Sequence, residues 1–222
     1  LRLEITGDLG ADLDDLDAGS FDEDAAFGGG DHWIAEGYDR IPALLADGLD
    51  IRLAEPVVEV MEHRDGLEVV TTKGRHGADQ VVVALPLGVL KSGHVVLPGA
   101  GLEPRRKAME RIGVGTLYKL AVPLADAMPA VDVILPADPA LAPWTGLYPL
   151  RQAPVPTVML LAGGRGARAL EQMPVDNALA AAADLLARLR LPAVDRTRAW
   201  HMASSWGTDP FTQGSYSYPL PG

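Results

Sequence analysis

The dipeptide Asp65-Gly66 sits between two segments that read as strands, LDIRLAEPVVEVMEH and LEVVTTKG, and no other local feature restricts the fold as much. A tight hairpin needs positive backbone angles at its tip, and Asp-Gly supplies them at little cost. Residues 51–72 are therefore predicted to pair antiparallel. The run ADQVVVAL, residues 78–85, follows as continuous apolar sequence, the pattern of a strand buried on both faces. Pro86 ends it, because proline has no amide to give to a ladder.

Helical patterns flank these strands. Residues 38–47, YDRIPALLAD, carry Pro42 near a first turn and Gly48 just past the end. PRRKAMERI, residues 104–112, opens on proline and stops at Gly113. The longest helix is predicted over residues 176–190, with Asp176 placed to cap free amides and Leu179, Ala182, Leu185, Leu186 and Leu189 on one face. Further strands are expected at residues 117–124, 131–135, 155–162 and 197–203. Strands and helices mix without strict alternation, which predicts an α/β fold of the α+β kind, an antiparallel or mixed sheet with helices on it.

With 222 residues and 48% apolar content, the chain can bury a core in one or two domains. No apolar run reaches the about 18 residues of a membrane span, since the alanine-rich stretch before Ala187 is broken by Asp184. The absence of cysteine excludes disulfides, thiolate metal sites and a cysteine nucleophile. A net charge of −11 argues against nucleic acid and suits a cationic partner. Residues 1–31 hold ten acidic groups against Arg2 alone and are read as a solvated, irregular opening segment. Its stretch ADLDDLDAGS lacks the ligand alternation and sixth-place glycine of a calcium loop. The chain starts at Leu1 and shows no basic segment leading into an apolar one, so a piece cut from a longer, cytoplasmic protein is expected.

The obvious catalytic motifs fail one by one. Gly164-x-Gly166-x-x-Ala169 imitates a dinucleotide fingerprint, but the acid expected about 20 residues later falls inside the long helix, so the motif is read as a tight strand-to-helix turn. No G-x-S-x-G nucleophile elbow occurs. His32, His63, His76, His94 and His201 lack the short spacings of zinc ligands, and no metal site is predicted.

Three blocks remain: LPLGVLK at residues 85–91, GVGTLYK at residues 113–119 and WGTDPFTQGSYSY at residues 206–218. Together with GLDIRL, their order and separation resemble the flavin-containing amine oxidases, a family of polyamine oxidases, lysine-specific histone demethylases and monoamine oxidases. The resemblance covers roughly residues 27–222. It implies a Rossmann-type FAD-binding domain intertwined with a substrate domain of mixed sheet plus helices. Residues 1–48 would be the opening segment and a substrate-domain helix, residues 49–93 and 204–222 would belong to the FAD domain, and residues 94–203 to the substrate domain. The family's N-terminal glycine fingerprint would precede Leu1 and its closing glycine-glutamate motif would follow Gly222. The isolated chain is therefore expected to bind FAD weakly or not at all.

The resemblance also implies roles. The Val57 backbone would pair with adenine, while Ala84, Leu85 and Pro86 would turn beside the cofactor. Lys119 would hold a water against flavin N5. A lysine between Leu117, Tyr118 and Leu120 in an apparent buried strand is costly unless paired or internally solvated, so the residues themselves single it out. Trp206 and Phe211 would lie near the flavin, Phe211 standing where relatives often carry tryptophan. Tyr216 would wall an aromatic cage attractive to an amine, and His32 would line the substrate entrance. The implied reaction oxidises a C–N bond of a polyamine, passing hydride to FAD and electrons on to oxygen, with hydrogen peroxide and a hydrolysable imine as products. Monoamine or L-amino-acid oxidation is the neighbouring reading. A non-catalytic homologue acting as a binding or structural module is the alternative from another class.

Overall fold

The computed structural model describes residues 2–17, 19, 34, 36–99 and 102–221. The acidic opening segment contains regular structure: helix α1 spans Arg2–Leu9. Its acids mark one side only, since Ile5 and Thr6 are buried and Ala11 beyond the helix is fully enclosed. Gly10, with φ of 61°, ends α1 in the left-handed region, where glycine carries no Cβ penalty.

One compact unit comprises residues 22–83 and 94–100, as far as they are described. It holds helix α2, Arg40–Ala46, as the sequence predicts, and strands β1, Val57–His63, β2, Gly66–Thr71, and β3, Arg75–Ala78. These form an antiparallel sheet in the order β1-β2-β3. The hairpin is where it was expected, but its tip is shifted by one residue. His63 pairs with Gly66, so Arg64 and Asp65 form the loop and Gly66, with φ of 146°, opens β2. On the other edge of β1, the Val60 amide donates to the Val96 carbonyl at 2.8 Å.

The buried strand expected over residues 78–85 is not formed. Only Ala78 belongs to a strand, residues 79–86 are irregular, and Val82 is 91% exposed. An apolar run becomes a central strand only where neighbours accept its hydrogen bonds and cover both faces. The β2–β3 ladder stops at the Leu67–Ala78 pair, and no strand among the described residues takes up the run beyond it.

The other unit comprises residues 1–21, 84–93 and 101–222, as far as they are described. After helices α3, Leu87–Ser92, and α4, Glu103–Glu110, come strands β4, Ile112–Val114, β5, Leu117–Pro123, β6, Gly146–Pro149, and β7, Thr157–Gly163. Helices α5, Gly164–Glu171, and α6, Val175–Arg188, follow, then short strands β8, Met202–Ala203, and β9, Ser217–Pro219. A four-stranded antiparallel sheet runs β6-β7-β5-β8, while β4 pairs with β9. The expected strand at residues 131–135 shrinks to one bridge between Ile134 and Leu147, and that at 197–203 to two residues. The helix predicted over residues 176–190 is α6. Its N-cap is Pro174 rather than Asp176, which is drawn inside the first turn.

Strand alternation sets the two faces of this sheet. Tyr118, Leu120 and Val122 of β5 join Val158, Leu160 and Ala162 of β7 in a core that α5 and α6 close with Ala167, Leu170, Ala178, Ala182, Leu185 and Leu186. Lys119 and Ala121, paired with Leu161 and Met159, therefore lie on the opposite face. There α1 covers one end: at Gly163 a side chain would collide with the Thr6 carbonyl. The mixed α/β class expected from the sequence holds.

Candidate functional site

The blocks that stand apart in sequence converge in the larger unit. Any side chain at Gly113 of β4 would collide with the Tyr218 ring of β9. The Gly115 amide donates to the Tyr216 carbonyl at 2.7 Å, and the Ser215 amide donates to the Gly115 carbonyl at 2.8 Å. Gly88 of α3 lies so close under the Thr212 and Gln213 carbonyls that a methyl group has no room. The Lys91 ammonium donates to the carbonyls of Met109 at 3.0 Å and Ile112 at 2.6 Å, tying α3 to the start of β4. The PLGVLK, GVGTLYK and WGTDPFTQGSYSY segments thus form one packed cluster.

Lys119 ends the second of these segments, on β5. The Lys119 amide donates to Ser204 Oγ at 2.8 Å, and the Ser204 amide donates back to the Lys119 carbonyl at 2.9 Å. The neighbouring Leu117 amide donates to Ser215 Oγ at 2.8 Å. Two serines hence bring both ends of the aromatic segment to β5. The side chain of Lys119 is half-buried, the one residue of β5 that is not fully buried. The expectation of a deeply buried lysine is thus corrected: alternation turns it away from the core onto the other face. No ion pair holds it among the described residues. On the same face Tyr148 of β6 has its hydroxyl pKa raised by burial and, less, by Asp8 and Glu4 of α1.

Residues 205–214 form a loop closed on itself. The Gly214 amide and the Thr212 hydroxyl both donate to the Trp206 carbonyl, at 2.8 and 2.7 Å, and the Phe211 amide donates to Asp209 Oδ1 at 2.7 Å. With its backbone fixed, the loop leaves its aromatic rings outside: Trp206 is 45%, Phe211 63% and, just beyond, Tyr216 43% exposed. Leu85 is half-buried, with Ala84 and Pro86 exposed on either side, immediately before α3. Val57 lies in the smaller unit, half-buried at the start of β1, and pairs with Thr71 beside a bulge. Nearby, Glu55 accepts from the Thr71 hydroxyl at 2.8 Å and meets His76 Nε2 at 2.7 Å. The His76 contact, chiefly, lowers the Glu55 pKa below 4.5. His32 lies outside the described residues.

Two groups escaped sequence reasoning. Asp12 occupies the N-terminus of α5: its Oδ2 accepts from the Arg165 amide at 3.0 Å and pairs with Arg165 Nε at 3.1 Å and Arg168 at 3.5 Å. The Gly164-x-Gly166 turn is therefore closed by an internal carboxylate where a dinucleotide motif would hold phosphate. Glu171, at the end of α5, accepts from the Gly207 amide at 3.1 Å. Its pKa is raised by burial, against opposing hydrogen bonds from the Gly207 and Thr208 amides. Only the acidity of these residues is visible in sequence, and their partners are 153 and 36 positions away.

The sequence matches the family described as flavin containing amine oxidoreductase over residues 9–222. It is 30% identical over 217 residues to polyamine oxidase 4 of Oryza sativa subsp. japonica, covering 96% of this chain and 44% of that protein. It is 36% identical over 117 residues to lysine-specific histone demethylase 1B of Mus musculus, covering 51% of this chain and 14% of that one. The chain spans 44% and 45% of the length of two plant polyamine oxidases it matches. The fold is similar to that of wild-type putrescine oxidase bound to putrescine, with a TM-score of 0.60 at 16% identity, over 84% of this chain and 42% of that one. With the resemblance-bearing blocks packed together around β5 and the family match running through them, this chain belongs to the flavin-containing amine oxidoreductase family.

Proposed function

We propose that these residues form part of an FAD-dependent amine oxidase acting on polyamines. The observation that carries the reading is that a half-buried lysine, without an ion pair among the described residues, and an exposed set of aromatic rings belong to segments joined through β5, β4 and β9. An exposed aromatic set is costly in water and suits a planar partner ring. Bound FAD would supply the redox chemistry, accepting hydride from the amine and passing electrons to oxygen.

The residues divide the remaining work. Lys119 would hold a water against the flavin, Trp206 and Phe211 would lie near its ring, and Ala84, Leu85 and Pro86 would turn beside it. The Val57 backbone would pair with the adenine. Tyr216 offers a π-face to the incoming amine and helps keep water from it. The described residues fit the ring end of the cofactor and not its pyrophosphate, because Asp12 closes the one glycine-rich helix start. Residues 49–93 and 204–222 serve the cofactor domain and residues 94–203 the substrate domain, His32 lining the way in. No Asp or Glu of this chain is assigned as an obligatory base, and its acidity argues against nucleic acid as a partner.

The test is amine-dependent peroxide release by the purified full-length protein, with spermidine, putrescine, a monoamine and an L-amino acid compared. Peroxide with the polyamines is expected. A flavin-loaded protein that oxidises none of them would overturn the assignment, and preference for the last two would move it within the family.

A further inference from the structure

We infer that Glu171 is a positioning residue: its carboxylate fixes the start of the Trp206 loop to the end of α5 and so sets where the Trp206 ring stands. The inference rests on the proposed amine oxidase reading for its functional consequence and on geometry alone for its structural one.

The 205–214 loop is stiff within itself, because the Trp206 carbonyl gathers two hydrogen bonds and Asp209 accepts three more, its carbonyl from the Thr212 amide at 3.3 Å and the Gln213 amide at 2.9 Å and its Oδ1 from the Phe211 amide. A loop of this kind moves as a body, so its orientation depends on a few external ties. Its far end is held by backbone pairing, Ser215 and Tyr216 against Gly115. Its near end is held by Ser204, whose amide donates to the Lys119 carbonyl of β5, and then by the Gly207 amide, which donates to Glu171 Oε1 at 3.1 Å. Gly207 is wedged there: a methyl group would stand 3.0 Å from Thr116 Cγ2 and against Glu171 Oε2. An amide donating to a carboxylate makes a charge-assisted bond, stronger than a neutral pair.

Glu171 is also placed to carry the state of the core. It is the last residue of α5, whose Ala167 and Leu170 are buried in the same core as Tyr118. Tyr118 has its pKa raised by burial and, less, by the Glu171 charge. Tyr118 is the immediate neighbour of Lys119 on β5.

The experiment compares Glu171→Ala and Glu171→Gln in the full-length protein, reading amide hydrogen exchange across residues 204–216 and kcat/KM with spermidine. Without the acceptor, exchange in residues 206–210 should quicken about tenfold or more while β5 and β7 stay protected. Glu171→Gln keeps one acceptor oxygen and should hold both readouts within about threefold of the parent. kcat/KM of Glu171→Ala should fall about tenfold. Unchanged exchange in Glu171→Ala, a loss spread equally over β5 and β7, or a loosened loop with unaltered kcat/KM would each overturn the inference. If the parent protein oxidises no amine, the proposed function fails, and exchange alone decides whether Glu171 holds the loop.

Discussion

Gly88→Ala is the sharpest perturbation of the assembled site. The added Cβ would stand 2.8 Å from both the Gln213 carbonyl carbon and the Thr212 carbonyl oxygen, and closer still to the Gln213 oxygen. These are backbone atoms of a loop closed by its own hydrogen bonds, so no flexible tip can swing away. Overpacking of this kind costs about 1–3 kcal/mol. In a unit of this size that corresponds to a fall in Tm of roughly 2–12 °C. The matched control is Gly77→Ala on β3, where nothing lies within 4 Å of the new methyl group. That change should stay within about 0.5 kcal/mol. Thermal unfolding followed by circular dichroism reads both, with amide exchange over residues 205–214 showing where the strain goes. A Gly88→Ala protein as stable and as protected as the parent would refute the packing of α3 against the aromatic loop, and with it the convergence of the sequence blocks.

Other outcomes follow from the same geometry. Lys119→Met in the full-length protein should leave FAD bound while flavin reduction by amine, or reoxidation by oxygen, slows about tenfold or more, which stopped-flow absorbance separates. The Glu55 carboxyl should titrate below 4.5 by carbon NMR, and His76→Phe should raise its midpoint. Because the folded pKa is lowered, the contribution of Glu55 to stability is present above pH 4.5 and is lost as pH falls through the folded value. Asp12→Ala removes the acceptor from the start of α5 and should lower stability by about 1 kcal/mol, read as a Tm decrease. The 222-residue chain alone should elute from gel filtration without stoichiometric flavin, because its glycine-rich helix start is closed by Asp12.

Local sequence patterns reported local structure well. Pro and Gly punctuation located α2 and α4, and the apolar face of α6 emerged as predicted, Ala182, Leu185 and Leu186 all buried. The hairpin was legible too, though Gly66 serves as the first strand residue rather than at the tip, a choice of register made by cross-strand pairing. Where the outcome depends on a distant partner, the pattern misled. VVVAL reads as a buried strand, yet its burial requires neighbours that the described residues do not supply, and Val82 is left in solvent. The acids of residues 1–17 read as solvated, although α1 hides Ile5 and Thr6 behind them and Asp12 is spent on two arginines. Lys119 was conspicuous because its neighbours are apolar, but strand parity, not depth, explains its setting. Ser204, Ser215 and Glu171 carry no signal of their own. Each acts through a backbone partner far along the chain.

The central claim, that this cluster serves amine oxidation at a bound flavin, is tested most directly by mixing the purified full-length protein with spermidine in the absence of oxygen and following the visible absorbance of the flavin. Bleaching that saturates with spermidine, and recovers when oxygen is admitted, is predicted. A flavin-loaded protein whose absorbance does not change with any amine would contradict it.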